Sequence, residues 1–240
     1  MIKGIAFDKD GTLINYEKYW VPITAAVTRE VLLRYSAQEL CPRALEALGI
    51  RKEGTVDLNG ILCHATYRDV SDLYFRLLSE KGIAVCADTL YRETAELFKE
   101  LRHLGICELI CPGVADLLKG LKGQGIALAL ITTDDRDGAR RTLAPLGVYG
   151  LFDFVITGDE VHPKKPDPYW LEYFMREAGL APDEVLMVGD TPTDMEFANR
   201  AGVRAVAVSQ NAENRRVLSS LADVTIPDIS HLPLVLPSFK

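Results

Sequence analysis

Two aspartates with a single residue between them stand near the start of the chain, in Ile5-Ala6-Phe7-Asp8-Lys9-Asp10-Gly11-Thr12-Leu13. Depending on its surroundings, a carboxylate can act as a nucleophile, as a general acid or base, or as a ligand for a hard cation. Here the pair follows a short apolar run, Ile2 to Phe7, that reads as a buried strand. Carboxylates at the carboxyl end of such a strand sit where open α/β sheets place their chemistry. A solvated Lys-Asp-Gly turn is the plain alternative. A helix-loop-helix calcium loop fails, because Leu13 stands where that loop needs Gly and Tyr19 where it needs its closing Glu.

Three later stretches have the same form. The apolar run Ile126–Ile131 leads into Thr132-Thr133-Asp134-Asp135. A hydroxyl and free backbone N–H groups just before a helix can seat a phosphate oxygen, or simply cap that helix. In Val161-His162-Pro163-Lys164-Lys165-Pro166-Asp167-Pro168, prolines bracket a basic pair and stiffen the loop that carries it. Finally, Leu186-Met187-Val188 runs into Gly189-Asp190, with Asp194 one helical turn further on. Taken alone, Asp190 also reads as a turn residue and Asp194 as a first-turn helix acid.

In this order, Asp8-x-Asp10-Gly-Thr-Leu, Thr132, Lys165-Pro166-x-Pro168 and Gly189-Asp190-x-x-x-Asp194 resemble the four motifs of the haloacid dehalogenase superfamily. Its members are mostly phosphatases, and in layout the chain is similar to the phosphoglycolate phosphatases among them. The resemblance implies that Asp8 attacks phosphorus and forms an aspartyl phosphate, with Asp10 as general acid and then base. It makes Thr132 and Lys165 catalytic, and Gly11, Thr132, Thr133 and Lys165 the seat of the substrate phosphate. It also implies a magnesium site of Asp8, Asp10 through its backbone carbonyl, Asp190, and Asp194 through water. Four converging carboxylates would repel one another and any phosphate, a conflict that a hard divalent cation resolves. Many relatives carry Asn where this chain has Thr133, a departure that bears on substrate preference. Asp10 weakens a dehalogenase reading, since carbon–halogen cleavage has no leaving oxygen to protonate. Two rivals stay open: a phosphosugar mutase of the same superfamily, and an inactive binding or regulatory protein on this scaffold.

The elements that must position these residues follow from periodicity. After Leu13 the chain reads as helical to about Leu104, with one stripe of Val21, Ile23, Val27, Val31 and Leu32 and another of Leu40, Ala44, Leu45 and Leu48. The polar stretch Arg51–Gly60 reads as a loop, and two further helices are expected near 68–81 and 87–104. Beyond Cys111-Pro112-Gly113 strands and helices alternate, with strands near 126–131, 154–157, 185–188, 203–208 and 224–226. That alternation predicts an α/β fold: a Rossmann-like parallel sheet core of residues 1–14 and 110–240, carrying an inserted all-helical cap of residues 15–109. The motif residues recognise phosphate and metal but little else, so the cap is expected to be a mobile lid that selects the leaving group. Arg68 and the loop Arg51–Gly60 are its first candidates for substrate contact. The Pro-rich end (Pro227, Pro233, Pro237) is expected to pack irregularly.

Composition sets the outer bounds. A net charge of -7 argues against nucleic acid as a partner, because backbone binding needs a basic surface. No apolar run approaches the roughly 18 residues that span a bilayer, which argues against a membrane partner. Asp8, Lys9 and Asp10 interrupt any signal-peptide pattern. Five cysteines without a Cys-x-x-Cys pair favour a reduced, cytoplasmic protein over a disulfide framework or a zinc site. The expected partner is a small phosphorylated metabolite.

Overall fold

The structure is a computed structural model that describes residues 1–239 except 53, 58, 59, 64 and 65. Strand β1 (Gly4–Phe7) is followed by helices α1 (Tyr16–Arg34), α2 (Cys41–Ala47), α3 (Tyr67–Glu80) and α4 (Ala87–Glu100). Strands and helices then alternate: α5 (Val114–Gly123), β2 (Ala127–Ile131), α6 (Arg136–Leu143), β3 (Phe154–Ile156), α7 (Tyr169–Ala178) and β4 (Val185–Gly189). The series ends with α8 (Pro192–Arg200), β5 (Arg204–Val208), α9 (Ala212–Leu218), β6 (Val224–Ile226) and α10 (Leu232–Val235). The chain divides into two compact units, Met1–Asn15 with Glu108–Lys240, and Tyr16–Cys107.

In the first unit six strands form one parallel sheet in the order β3-β2-β1-β4-β5-β6. The first strand in sequence is therefore central, with Phe7 facing Leu130 on one side and Val188 on the other. Every residue of β1 and of β4 is buried, as expected of strands covered on both faces. Helix α7 packs on β1 and β2, α8 on β4 and β5, and α9 on β5 and β6. Full burial of an Ile, Val or Phe side chain contributes about 1.5–3 kcal/mol. The strand ends at Asp8 and Asp190 are thus anchored by fully buried strands.

Where the chain leaves and rejoins this unit, its two crossings lie side by side. The Asn15 N–H donates to the Glu108 carbonyl at 3.1 Å and the Ile110 N–H to the Leu13 carbonyl at 2.9 Å. Between them Ile14 and Leu109 face each other in an antiparallel bridge.

The second unit is helical. Its longest helix, α1, buries Tyr19, Ile23, Val27, Val31 and Leu32, while Val21 stays half-buried. Helix α3 starts at a reciprocal cap: the Thr66 N–H donates to the Asp69 carboxylate at 2.7 Å, and Asp69 N–H donates back to the Thr66 hydroxyl. Helix α3 packs along α4, and α1 packs against both α2 and α4.

One expectation is corrected. The Pro-rich end is not irregular but a run of short helical turns, Ile229–His231, Leu232–Val235 and Leu236–Ser238. Pro233 and Pro237 stand in the first turns of the last two, where a missing N–H breaks no helix bond. Among the described residues no helix is long and apolar enough to cross a membrane.

Candidate active site

Four strand ends bring the motif residues together within the first unit. Asp8 follows β1 and is tied to the neighbouring strand by its N–H, which donates to the Val188 carbonyl at 2.9 Å. Gly189 closes β4, and Asp190 follows it. Asp194 lies in the first turn of α8, in a reciprocal cap with Thr191: its Oδ2 accepts the Thr191 N–H at 3.1 Å and the Thr191 hydroxyl at 2.6 Å. A Cβ on Gly189 would collide with the Asp194 side chain, so the glycine is what lets that turn come so close. Gly11 has φ +87°, a region that favours glycine, and any side chain there would overlap the Asp190 carboxylate.

Asp8, Asp190 and Asp194 each offer an oxygen to a group whose members all lie within 4.8 Å of one another. The Lys165 ammonium sits against this group, 2.6 Å from Asp8 Oδ1 and 2.7 Å from Asp194 Oδ1, with a side chain only 4% exposed. The loop that delivers it is turned by Asp167, whose N–H donates to the Lys164 carbonyl and whose carboxylate caps the Tyr169 N–H. Lys164 itself is exposed.

Burial and the neighbouring carboxylate of Asp194 push the Asp8 carboxyl up to about 7, against the opposing pull of Lys165. Asp190 is raised well above the ordinary range by burial and by Asp8 and Asp194. Lys165 is held charged, because the attraction of Asp194 and Asp8 outweighs its burial. Fully ionised, the cluster would carry more negative charge than one lysine offsets, which is why two of its carboxyls are raised. With Asp8 and Asp194 buried and Asp190 half-buried, its crowded carboxylate oxygens fit a hard divalent cation.

The Asp10 carboxylate turns elsewhere, to Lys9, whose ammonium is 3.0 Å from Asp10 Oδ2. Thr132 follows β2, its hydroxyl oxygen accepting the Asp134 N–H at 3.1 Å, which leaves the hydroxyl proton for another acceptor. Thr132 and Lys165 line a small cavity with Thr157 and Gly158. Among the described residues the buried Thr157 hydroxyl has no hydrogen-bond partner. Thr133, next in the chain, is exposed.

The sequence profile of the haloacid dehalogenase-like hydrolases matches residues 2–202. The chain belongs to this family. A phosphoglycolate phosphatase of Pseudomonas putida is 32% identical to the hydrolase over 222 residues, covering 90% of this chain and 72% of the relative. One from Pectobacterium atrosepticum is 31% identical over 210 residues, covering 87% and 80%. Among solved structures, a predicted phosphoglycolate phosphatase from Haemophilus somnus 129PT superimposes with a TM-score of 0.74 at 22% identity, covering 98% and 97%. That last likeness speaks for the fold. The motif-based resemblance to phosphoglycolate phosphatases thus meets relatives of that name, and the hydrolase is an enzyme of this superfamily.

Three residues that hold the site together were given no role from the sequence. The Thr12 hydroxyl donates to Asp190 Oδ1 at 3.2 Å, and Thr191 fixes Asp194. Lys9, fully buried, spans Asp10 and Asp134. Strand alternation is the signal that points to Lys9: if Asp8 and Asp10 face the cleft, Lys9 faces the other way, into a covered sheet face where a cation must find a partner. In the helical unit, Arg68 pairs with Asp88 at 3.3 Å and lies 4.4 Å over the Tyr91 ring. Arg51 pairs with Asp57, while residues 53, 58 and 59 of its loop lie outside the described residues.

Proposed function

We propose that the hydrolase is a magnesium-dependent phosphatase acting on a small phosphate monoester through an aspartyl phosphate. The observation that carries this is the Lys165 ammonium, 2.6 Å from Asp8, against a group of three carboxylates at the carboxyl end of a parallel sheet. In this reading Asp8 Oδ attacks phosphorus and the ester P–O bond breaks, while Asp10 gives its proton to the leaving oxygen. Asp10 then takes a proton from the water that attacks the aspartyl phosphate, releasing inorganic phosphate and restoring Asp8. Lys165, Thr132 and the backbone N–H of Thr133 bind the phosphoryl oxygens, where charge is spread in the transition state. The Gly11 N–H is already donated to the Ile14 carbonyl at 2.9 Å, so Gly11 shapes the turn and is not a phosphate donor. Asp8, Asp190, the Asp10 carbonyl and, through water, Asp194 would hold the magnesium. The ion would supply charge neutralisation that lets an anionic nucleophile meet an anionic ester. Asp194 already has both oxygens engaged by Lys165 and Thr191, which favours an indirect role.

Phosphoglycolate is the first substrate to test, on the strength of the relatives' names. The helical insertion is assigned the choice of leaving group, since the core residues address phosphate alone. The deciding experiment is a panel of phosphorylated metabolites read by free phosphate, with chelator and magnesium added in turn. Phosphate release that stops in chelator and returns with magnesium is expected. Retention of phosphate on a sugar would give the mutase reading, and full activity in excess chelator would end the metal assignment.

A further inference from the structure

Next to the nucleophile lies a second ionic centre, in which Asp10 meets two residues that have no motif role, Lys9 and Asp134. Lys9 has no exposed side-chain surface, yet it carries an ammonium, held charged by Asp10 and Asp134 against the cost of its burial. Its Nζ is 2.6 Å from Asp134 Oδ2 and 3.0 Å from Asp10 Oδ2. Asp134 comes from the loop after β2, 125 residues away in sequence. Its position is fixed on every side. Its N–H donates to the Thr132 hydroxyl at 3.1 Å, its carbonyl accepts the Gly158 N–H at 2.7 Å, and its Oδ1 accepts the Asp135 N–H at 2.9 Å. On the remaining side stands Gly138 of α6, where an added Cβ would lie 2.5 Å from Asp134 Oδ2. The carboxylate thus fills a space left by the absent side chain.

A buried ion pair is a poor way to gain stability, because apolar residues of the same volume generally do as well or better. What this pair does supply is a fixed donor aimed at one oxygen of Asp10. We infer that Lys9, braced by Asp134, is a positioning residue for Asp10. It pins Oδ2, so that Oδ1 is presented to the leaving oxygen and afterwards to the attacking water. Lys9 and Asp134 together carry no net charge, so the carboxyl is oriented without adding a cation to the cleft. Productive proton transfer needs heavy atoms within about 2.6–3.2 Å, and a carboxyl free to rotate would satisfy that only part of the time. The inference rests on the acid–base role proposed for Asp10.

Leaving-group dependence separates positioning from mere structure. A dinitrophenolate leaves without a proton, whereas the alkoxide of phosphoglycolate needs one. In rapid-mixing experiments, Lys9→Met is expected to slow phosphorylation of Asp8 by phosphoglycolate on the order of 10²-fold, the usual contribution of a general acid. The burst of phenolate from 2,4-dinitrophenyl phosphate should stay within about threefold, with apparent substrate affinity unchanged. Later turnover of the aryl ester should slow, because the same carboxylate serves the water step. Lys9→Met removes the ammonium between Asp10 and Asp134 and invites misfolding, so Lys9→Met/Asp134→Leu is measured beside it. That variant should regain the thermal midpoint but not the phosphoglycolate rate. Recovery of both, or equal loss of burst rate from the two esters, would overturn the positioning role. Asp10→Asn is the control: it should show the same leaving-group pattern, and if it does not, the acid–base reading fails and the inference falls with it.

Discussion

Lys165 and Lys9 make an instructive pair. Each is a buried ammonium between two carboxylates, with side-chain exposures of 4% and 0%. Each has one partner beside the first strand and one from a distant loop or helix: Asp8 and Asp194 for Lys165, Asp10 and Asp134 for Lys9. They differ in what else stands nearby. Around Lys165 a third carboxylate, Asp190, joins within 4.8 Å of Asp8 and Asp194, so the ionised group would outnumber its one cation and invites a metal. Around Lys9 the partners are walled by Gly138 and backbone, with no comparable metal group among the described residues. One lysine faces the chemistry, and the other holds a group that does. Charge surplus and access, more than the presence of a buried lysine, tell the two apart.

The comparison can be broken most sharply at Asp8. Asp8→Asn should lower turnover by more than about 10⁴-fold with the fold intact, as loss of a covalent nucleophile does. Trapping of the phosphoenzyme followed by peptide mapping checks it, and a label on any other residue would refute the assignment. Next in size is Lys165→Ala, expected to cost about 10²–10³ in rate, the usual loss for one transition-state donor. Lys164→Ala, at an exposed side chain in the same loop, should change the rate less than about threefold. Equal losses at both would mean that the wrong lysine has been given the role.

A smaller effect concerns stability and pH. In the metal-free protein Asp8 titrates near 7 instead of its ordinary 3.8, so between those values the native state keeps a proton that the unfolded chain has lost. Stability must therefore fall as pH rises through that window. Relative to Asp8→Asn, which cannot titrate there, the thermal midpoint of metal-free protein should drop from about pH 4 to about pH 7. Saturating magnesium should reverse the trend, because it binds the ionised form. A flat difference would mean that the Asp8 proton is not held. At the second centre, Gly138→Ala should destabilise by about 1–3 kcal/mol, as overpacking does, with Asp134 displaced. Denaturant unfolding measures it, and a neutral result would show that the Asp134 seat is looser than it looks.

What could be read from the sequence tracks how local each signal is. Asp8, Thr132, Lys165 and Asp190 each follow an apolar strand or sit in a proline-stiffened loop, so a short window carries both the element and the chemistry. That the sheet is parallel was legible for the same reason, since strands alternate with helices from Val114 onward. The Lys9–Asp134 pair was not, because its partners are 125 residues apart and neither has a motif role. The short turns at Pro233 and Pro237 were missed because proline reads as a breaker, although in a first turn it is tolerated. Arg68 looked available for ligand, but its pairing with Asp88 and Tyr91 comes from α4, beyond any local window.

The antiparallel bridge between Ile14 and Leu109 has a consequence for how such a chain is able to change. Residues facing each other in an antiparallel pair have Cα atoms about 4.5–5.5 Å apart, a gap that two residues can turn. Everything between them is thus attached through a socket whose two contacts are adjacent. The entropy of closing a loop on such a socket grows only with the logarithm of its length, by about 0.6 kcal/mol for each doubling. A short turn, a helical segment or a longer insert with neighbouring ends can be plugged in at similar expense, with no strand of the sheet re-threaded. Selection acting on the insert and selection acting on the strand ends can then proceed as separate experiments on one polypeptide.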